Sequence, residues 1–198
     1  MSALLEKLGV PKNVRLFFQP YYQLLPDGSL RFAFGHAAEH FGQSFHRIPI
    51  AIHPWLAGNG PLQFIAFSAM ECLAYLAIHG HRYADFSQLQ FSAIGLTRQL
   101  PPQTAASKIC LLAGNDPLGC LNAIHWASSL RNKQIGIRYL SQDKYLISYL
   151  NRKIILREAL LSLSAAEKGL GIRTGIRTAA PRNHTSFLEQ LKHQTSWY

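Results

Sequence analysis

The chain has 198 residues, 48% of them hydrophobic and 15% charged, with 20 Lys and Arg against 10 Asp and Glu. A composition this apolar excludes a wholly disordered chain, and the length suits one domain with its own core. The formal net charge of +10 favours a polyanionic partner, nucleic acid first among them, over an acidic surface.

Residues 1–10 fit one or two turns of helix, closed by Gly9 and Pro11. They carry Glu6 and Lys7 and lack the long apolar stretch of a secretory leader. Val14–Leu25 and Ser29–His36 read as strands joined at Pro26-Asp27-Gly28, a strong turn signal. Leu30, Phe32 and Phe34 alternate with Arg31, Ala33 and Gly35, as one buried strand face requires. Phe45–His53 reads as a third strand, so residues 1–58 are expected to form an N-terminal antiparallel β element. Its aromatics, Phe17, Phe18, Tyr21 and Tyr22 among them, suit a core or sheet face better than a base-stacking surface.

At Gly58-Asn59-Gly60 the pattern changes. Gln63–Ser68 reads as a strand, Ala69–His79 as a helix, Leu89–Gly95 as a strand and Leu96–Ala106 as a loop. Lys108–Ala113 is nearly all apolar, as an interior strand should be. Pro117–Leu130 reads as a helix capped by Asp116, Gln134–Leu140 as a strand, and Asp143–Lys168 as one long helix. This alternation predicts an α/β core over residues 59–169, with a mainly parallel, Rossmann-like sheet and flanking helices. The long helix would be apolar over much of its circumference while carrying Lys144, Arg152, Lys153, Arg157 and Lys168. It would need cover, from the N-terminal element or from a second copy, so a homo-oligomer through residues 143–168 is expected as one outcome. Residues 170–198 read as a basic tail with a short helix at Ser186–His193. Arg173, Arg177 and Arg182 there either track phosphates or are simply solvated.

No apolar run reaches the ~18 residues of a membrane span. Cys72, Cys110 and Cys120 lie in apolar segments and read as buried, reduced thiols of a cytoplasmic protein.

Three lines of sequence, in order, carry a resemblance: Phe67-Ser68-Ala69-Met70-Glu71-Cys72-Leu73-Ala74-Tyr75, Ser92-Ala93-Ile94-Gly95, and Leu111-Leu112-Ala113-Gly114-Asn115-Asp116-Pro117-Leu118-Gly119. Together they resemble the Toprim domain of topoisomerases and bacterial primases, in particular the variants of plasmid and transposon primase-like proteins. Asp143-Lys144-Tyr145 adds a faint further match, and the likeness covers under half of the chain. It implies a Mg²⁺ site at the carboxyl ends of the strands, built from a Glu and an Asp-x-Asp pair. Here Phe67 stands at the Glu position and Gly114 at the first Asp, leaving Asp116. The resemblance therefore implies a catalytically degenerate module acting in DNA or RNA metabolism, with Mg²⁺ doubtful.

The same strand ends would form an anion or nucleic-acid cleft. Gly114, Asn115 and Gly119 would let backbone approach a ligand, and Arg98 would add a cation. An enzyme remains the alternative: Glu71, one helical turn beyond Phe67, would join Asp116 as metal ligand and catalytic acid in phosphoryl transfer or nuclease chemistry. Against it, Asp116 fits a helix N-cap and Glu71 an ordinary first-turn acid. A third class is a structural or protein-interaction domain. His36-Ala37-Ala38-Glu39-His40 matches the pattern of inverted zinc proteases, but Gly35 and Gly42 bracket too short a span for the helix that needs. Ser68 reads as an N-cap, and His125 as a mid-helix packing or surface residue.

Overall fold

The computed structural model describes residues 2–96 and 108–195. Helix α1 (Ala3–Lys7) starts at Ser2, whose hydroxyl accepts from the Leu5 amide. Helix α2 (Lys12–Phe18) follows Pro11 and puts Val14 and Phe18, four residues apart, into the core. The expected strand over Val14–Leu25 is therefore corrected: only β1 (Gln23–Leu24) is extended. β2 (Leu30–Phe34), β3 (Ala37–Phe41) and β4 (His46–Arg47) complete an antiparallel sheet in the order β1-β2-β3-β4. Phe45–His53 thus shortens to two paired residues, and the strand β5 (Trp55–Gly58) lies beyond it.

β6 (Leu62–Ala66), α3 (Ala69–His79), β7 (Leu89–Ala93), β8 (Lys108–Leu112) and α4 (Pro117–Ser129) fall close to their expected positions. β9 (Ile135–Tyr139) then turns back into β10 (Lys144–Tyr149) and β11 (Arg152–Arg157). The chain continues through α5 (Leu163–Leu170), β12 (Arg177–Ala179) and α6 (Phe187–Gln194).

The expected mainly parallel sheet is contradicted. Two of the three sheets, β1–β4 and β9–β11, are wholly antiparallel. The third, in the order β12-β8-β6-β7-β5, is mixed: β8 is interior and parallel to both neighbours, while β5 runs antiparallel to β7. The long helix over Asp143–Lys168 is absent, and with it the expected oligomer surface. Two strands that bury one face and keep alkyl groups on the other look apolar all round when wound on a helical wheel. Gln142, Asp143 and Leu150 at positive φ turn the chain twice where a helix would run on.

Alternation sorts the mixed sheet into two cores. Phe64, Ala66, Phe91, Cys110 and Leu112 face one side, where they meet α3, α6, Phe18, Phe32 and Trp55. Ile65, Ile109 and Leu111 face the other, against α4, α5 and the inner face of β9–β11. Residues 1–58 thus share a core with the mixed sheet and its helices. The expected basic tail is likewise built in: β12 is the edge partner of β8, and Phe187, Leu188 and Leu191 of α6 are buried on α3. No helix among the described residues is long and apolar enough to cross a membrane. The three cysteines are free, and burial pushes the Cys110 thiol up to about 11.

Candidate functional site: capped helices and a basic sheet face

Beyond the carboxyl ends of β6 and β8, the helices α3, α4 and α6 all begin. Each starts at a side chain suited to capping. Ser68 Oγ accepts from the Glu71 amide at 3.3 Å, Asp116 Oδ1 from Gly119 at 2.6 Å, and Ser186 Oγ from Glu189 at 3.1 Å. Carboxylates from earlier in the chain add to two of these starts. Glu39 of β3, fully buried, accepts from the Ala69 amide (2.7 Å), the Met70 amide (3.1 Å) and Ser68 Oγ (2.7 Å), and lies 2.9 Å from His46 Nε2. Glu71, in the first turn of α3, accepts from the Phe187 and Leu188 amides at 2.8 and 3.1 Å. So β3 caps α3, and α3 caps α6. Burial pushes the Glu71 carboxyl up, and the two amides that it accepts from partly offset this.

Between the three helix starts lies a cavity of about 300 Å³. His46, Glu71, Asp116, Asn122 and Ser186 supply its polar wall. Glu71 and Asp116 thus share a cavity, as the metal alternative requires, yet the residues do not fit Mg²⁺. Both Glu71 oxygens are engaged by backbone amides. Phe67 packs edge-on against Trp126 with ring centres 4.3 Å apart. A side chain at Gly114 would place its Cβ 2.8 Å from the Thr185 carbonyl oxygen. Among the described residues no three His, Cys, Asp or Glu are grouped to hold a metal ion.

The glycines of the expected anion cleft pack backbone on backbone. A Cβ at Gly119 would run into the Gly114 carbonyl, and the Asn115 amide donates to Thr185 O at 3.2 Å. Arg98 lies outside the described residues. Arg173, Arg177 and Arg182 are exposed, Arg177 within β12. Ser68 is fully buried, with its proton committed to Glu39 and its lone pair to an amide, which removes it as a nucleophile. His36 and His40 belong to the β2–β3 hairpin, where no helix brings them together, which removes the zinc-protease pattern.

The sequence reading missed two features. One is Glu39, whose partners lie about thirty residues ahead. The other is the outer face of β9–β11. Ile135, Ile137, Tyr145, Ile147, Tyr149, Ile154 and Leu156 pack inward. The alternate residues face out: Arg138, Lys144, Lys153 and Arg157, with Leu146, Ser148 and Ile155 between them. The register sets Lys144 beside Arg157 and Arg138 beside Leu146, and no Asp or Glu occurs in the three strands. The signal was the alternation from Lys144 to Tyr149, obscured by the alkyl groups on the outer face.

Compared with protein-family models, with curated proteins and with solved structures, the chain finds no match.

Proposed function

We propose that the protein is a non-catalytic nucleic-acid-binding module that meets its ligand with the outer face of β9–β11. The observation that carries this reading is four cations on one open sheet face whose strands contain no acid, in a chain of net charge +10. Phosphate contacts of this kind position a polyanion without reading its sequence, and Leu146 and Ile155 add an apolar surface for sugars or unstacked bases. The phosphoryl-transfer alternative draws less support, because Glu71 is engaged in capping α6.

Binding is expected to be weakly sequence-dependent. Four phosphate contacts give a log–log salt slope of about −3 to −4. Lys153→Ala with Arg157→Ala, both on exposed side chains, should flatten that slope by about 2 units. Fluorescence anisotropy of labelled single- and double-stranded DNA and RNA, titrated at several salt concentrations, reads both quantities. No binding of any of the four at tens of micromolar protein in low salt sinks the proposal.

A further inference from the structure

A second surface, adjoining the basic face, lies along the edge of β9. Among the described residues this strand pairs only with β10. The Leu140 amide donates to Lys144 O at 2.9 Å, which fixes the phase of the ladder. Bonded and non-bonded pairs alternate in an antiparallel ladder. With Arg138 opposite Leu146 and Ile137 opposite Ile147, the N–H and C=O groups of Gly136 and Arg138 point at β10. Those of Ile135, Ile137 and Tyr139 point away from it.

Against this edge runs a mainly apolar groove of about 630 Å³. One wall is a single face of α4: Leu118, Leu121, Asn122 and His125, spaced three, four and seven residues from the first. The other wall is Ile135 and Ile137 of β9, and Ile48, Phe67 and Leu96 complete the lining. Among the described residues Leu118 is left 65% exposed, a large cost for an alkyl group. From Pro117 to Gln142, the stretch that builds both walls, there is no Asp or Glu, while Arg131, Lys133 and Arg138 are present.

We propose that this groove binds an extended peptide segment of another protein by strand addition to β9. The segment carries apolar residues at alternate positions and acidic residues between them. The backbone of Ile135, Ile137 and Tyr139, which points away from β10, supplies the hydrogen bonds, and the groove takes every second side chain. Acidic residues of the peptide alternate with those in the groove and lie on the outward side, where Arg138 projects from β9. A second copy of this chain is the poorer occupant, since edge-to-edge pairing would set like charges together in a protein already at +10.

The probe is a fluorescein-labelled synthetic peptide of about eight residues alternating Val or Ile with Glu or Asp, and its control has the same composition sorted into an apolar and an acidic block. The alternating peptide is expected to bind saturably and the block peptide at least tenfold more weakly. On binding, the amides of Ile137 and Tyr139 should slow their hydrogen exchange, with Arg138 unchanged. Ile137→Pro removes an outward N–H without touching the β9–β10 bonds, and should abolish binding. Should that variant fail to fold, Leu118→Asp, at an exposed position, should still weaken binding at least tenfold. Lys153→Ala with Arg157→Ala should leave it unchanged, which separates this surface from the nucleic-acid face. The proposal is overturned by equal binding of the two peptides, by no binding to folded wild type at about 0.5 mM, or by a peptide-independent dimer that Ile137→Pro dissolves.

Discussion

Glu39 sits where a carboxylate is costly, and its environment offsets that cost: two backbone amides, a hydroxyl and an imidazole surround it. Removing one member of such a buried cluster leaves the others unpaired. Glu39→Ala should therefore cost about 3–5 kcal/mol, read by urea unfolding at neutral pH. A loss below about 1 kcal/mol would mean that water replaces the carboxylate with little penalty. Glu71→Ala leaves the Phe187 and Leu188 amides without an acceptor, at about 1–3 kcal/mol. Its signature is local: those two amides should exchange faster while β6 and β8 stay protected. His79 acts through protons. Burial among Tyr75 and Phe187, helped by the neighbouring Arg82, lowers its imidazole from the ordinary 6.5 to about 4. Its Nδ1 is buried with no hydrogen-bond partner among the described residues. Below pH 6.5 the unfolded chain takes up a proton that the folded chain refuses, so this contribution to stability is present above 6.5 and declines as pH falls toward 4. Glu71, with its carboxyl raised, works in the opposite direction over the acid part of that window. His79→Phe keeps the ring packing and should flatten the acid limb of a stability–pH curve; an unchanged limb would assign that limb to other groups.

Among the elements, those that local chemistry specifies were legible. Ser68 and Asp116 mark the starts of α3 and α4, Ser186 marks α6, and the apolar run at Lys108–Leu112 marks an interior strand. Elements chosen by long-range packing were not. Lys12–Phe18 carries adjacent aromatics that read as strand, yet Val14 and Phe18 share a helix face once Phe91 and Trp55 are there to meet them. Residues 144–157 have no strong turn dipeptide between them, because Leu150 holds a left-handed conformation that Asn or Gly would hold with less strain. The candidate site divides in the same way. Asp116 as a cap was readable from Pro117 beside it, whereas the target of Glu71 lies 116 residues away and leaves no local trace. The hairpin gives a direct test. Leu150 is 81% exposed, so Leu150→Asn sacrifices little packing and relieves about 1 kcal/mol of backbone strain. That should raise the melting temperature by about 2–4 °C in a thermal scan. A fall would show that the exposed leucyl group stabilises the hairpin more than its φ angle costs.

For the whole molecule, the most consequential contacts join segments far apart in sequence. Phe187, Leu188 and Leu191 are each 5% exposed or less, and burying each is worth about 1.5–3 kcal/mol. Their sum rivals the net stability of a typical domain, about 5–15 kcal/mol. A chain cut after Gly175 lacks them and the β12 pairing as well, and should lose cooperative unfolding in urea; a sharp transition with native-like circular dichroism would refute this. The same arrangement has a consequence in time. On the ribosome, β8 is made well before the strand that covers its edge. Between Leu112 and Arg177 lie on the order of 3–13 s of synthesis at about 5–20 residues per second. Throughout that interval the nascent chain presents Ile109–Leu112 as an open apolar edge, the kind of template on which other chains pair. Translation speed over residues 113–176 thus becomes a determinant of yield: slow decoding there lengthens the exposure, and holdase chaperones acting on the nascent chain would shield it until Arg177–Ala179 emerges.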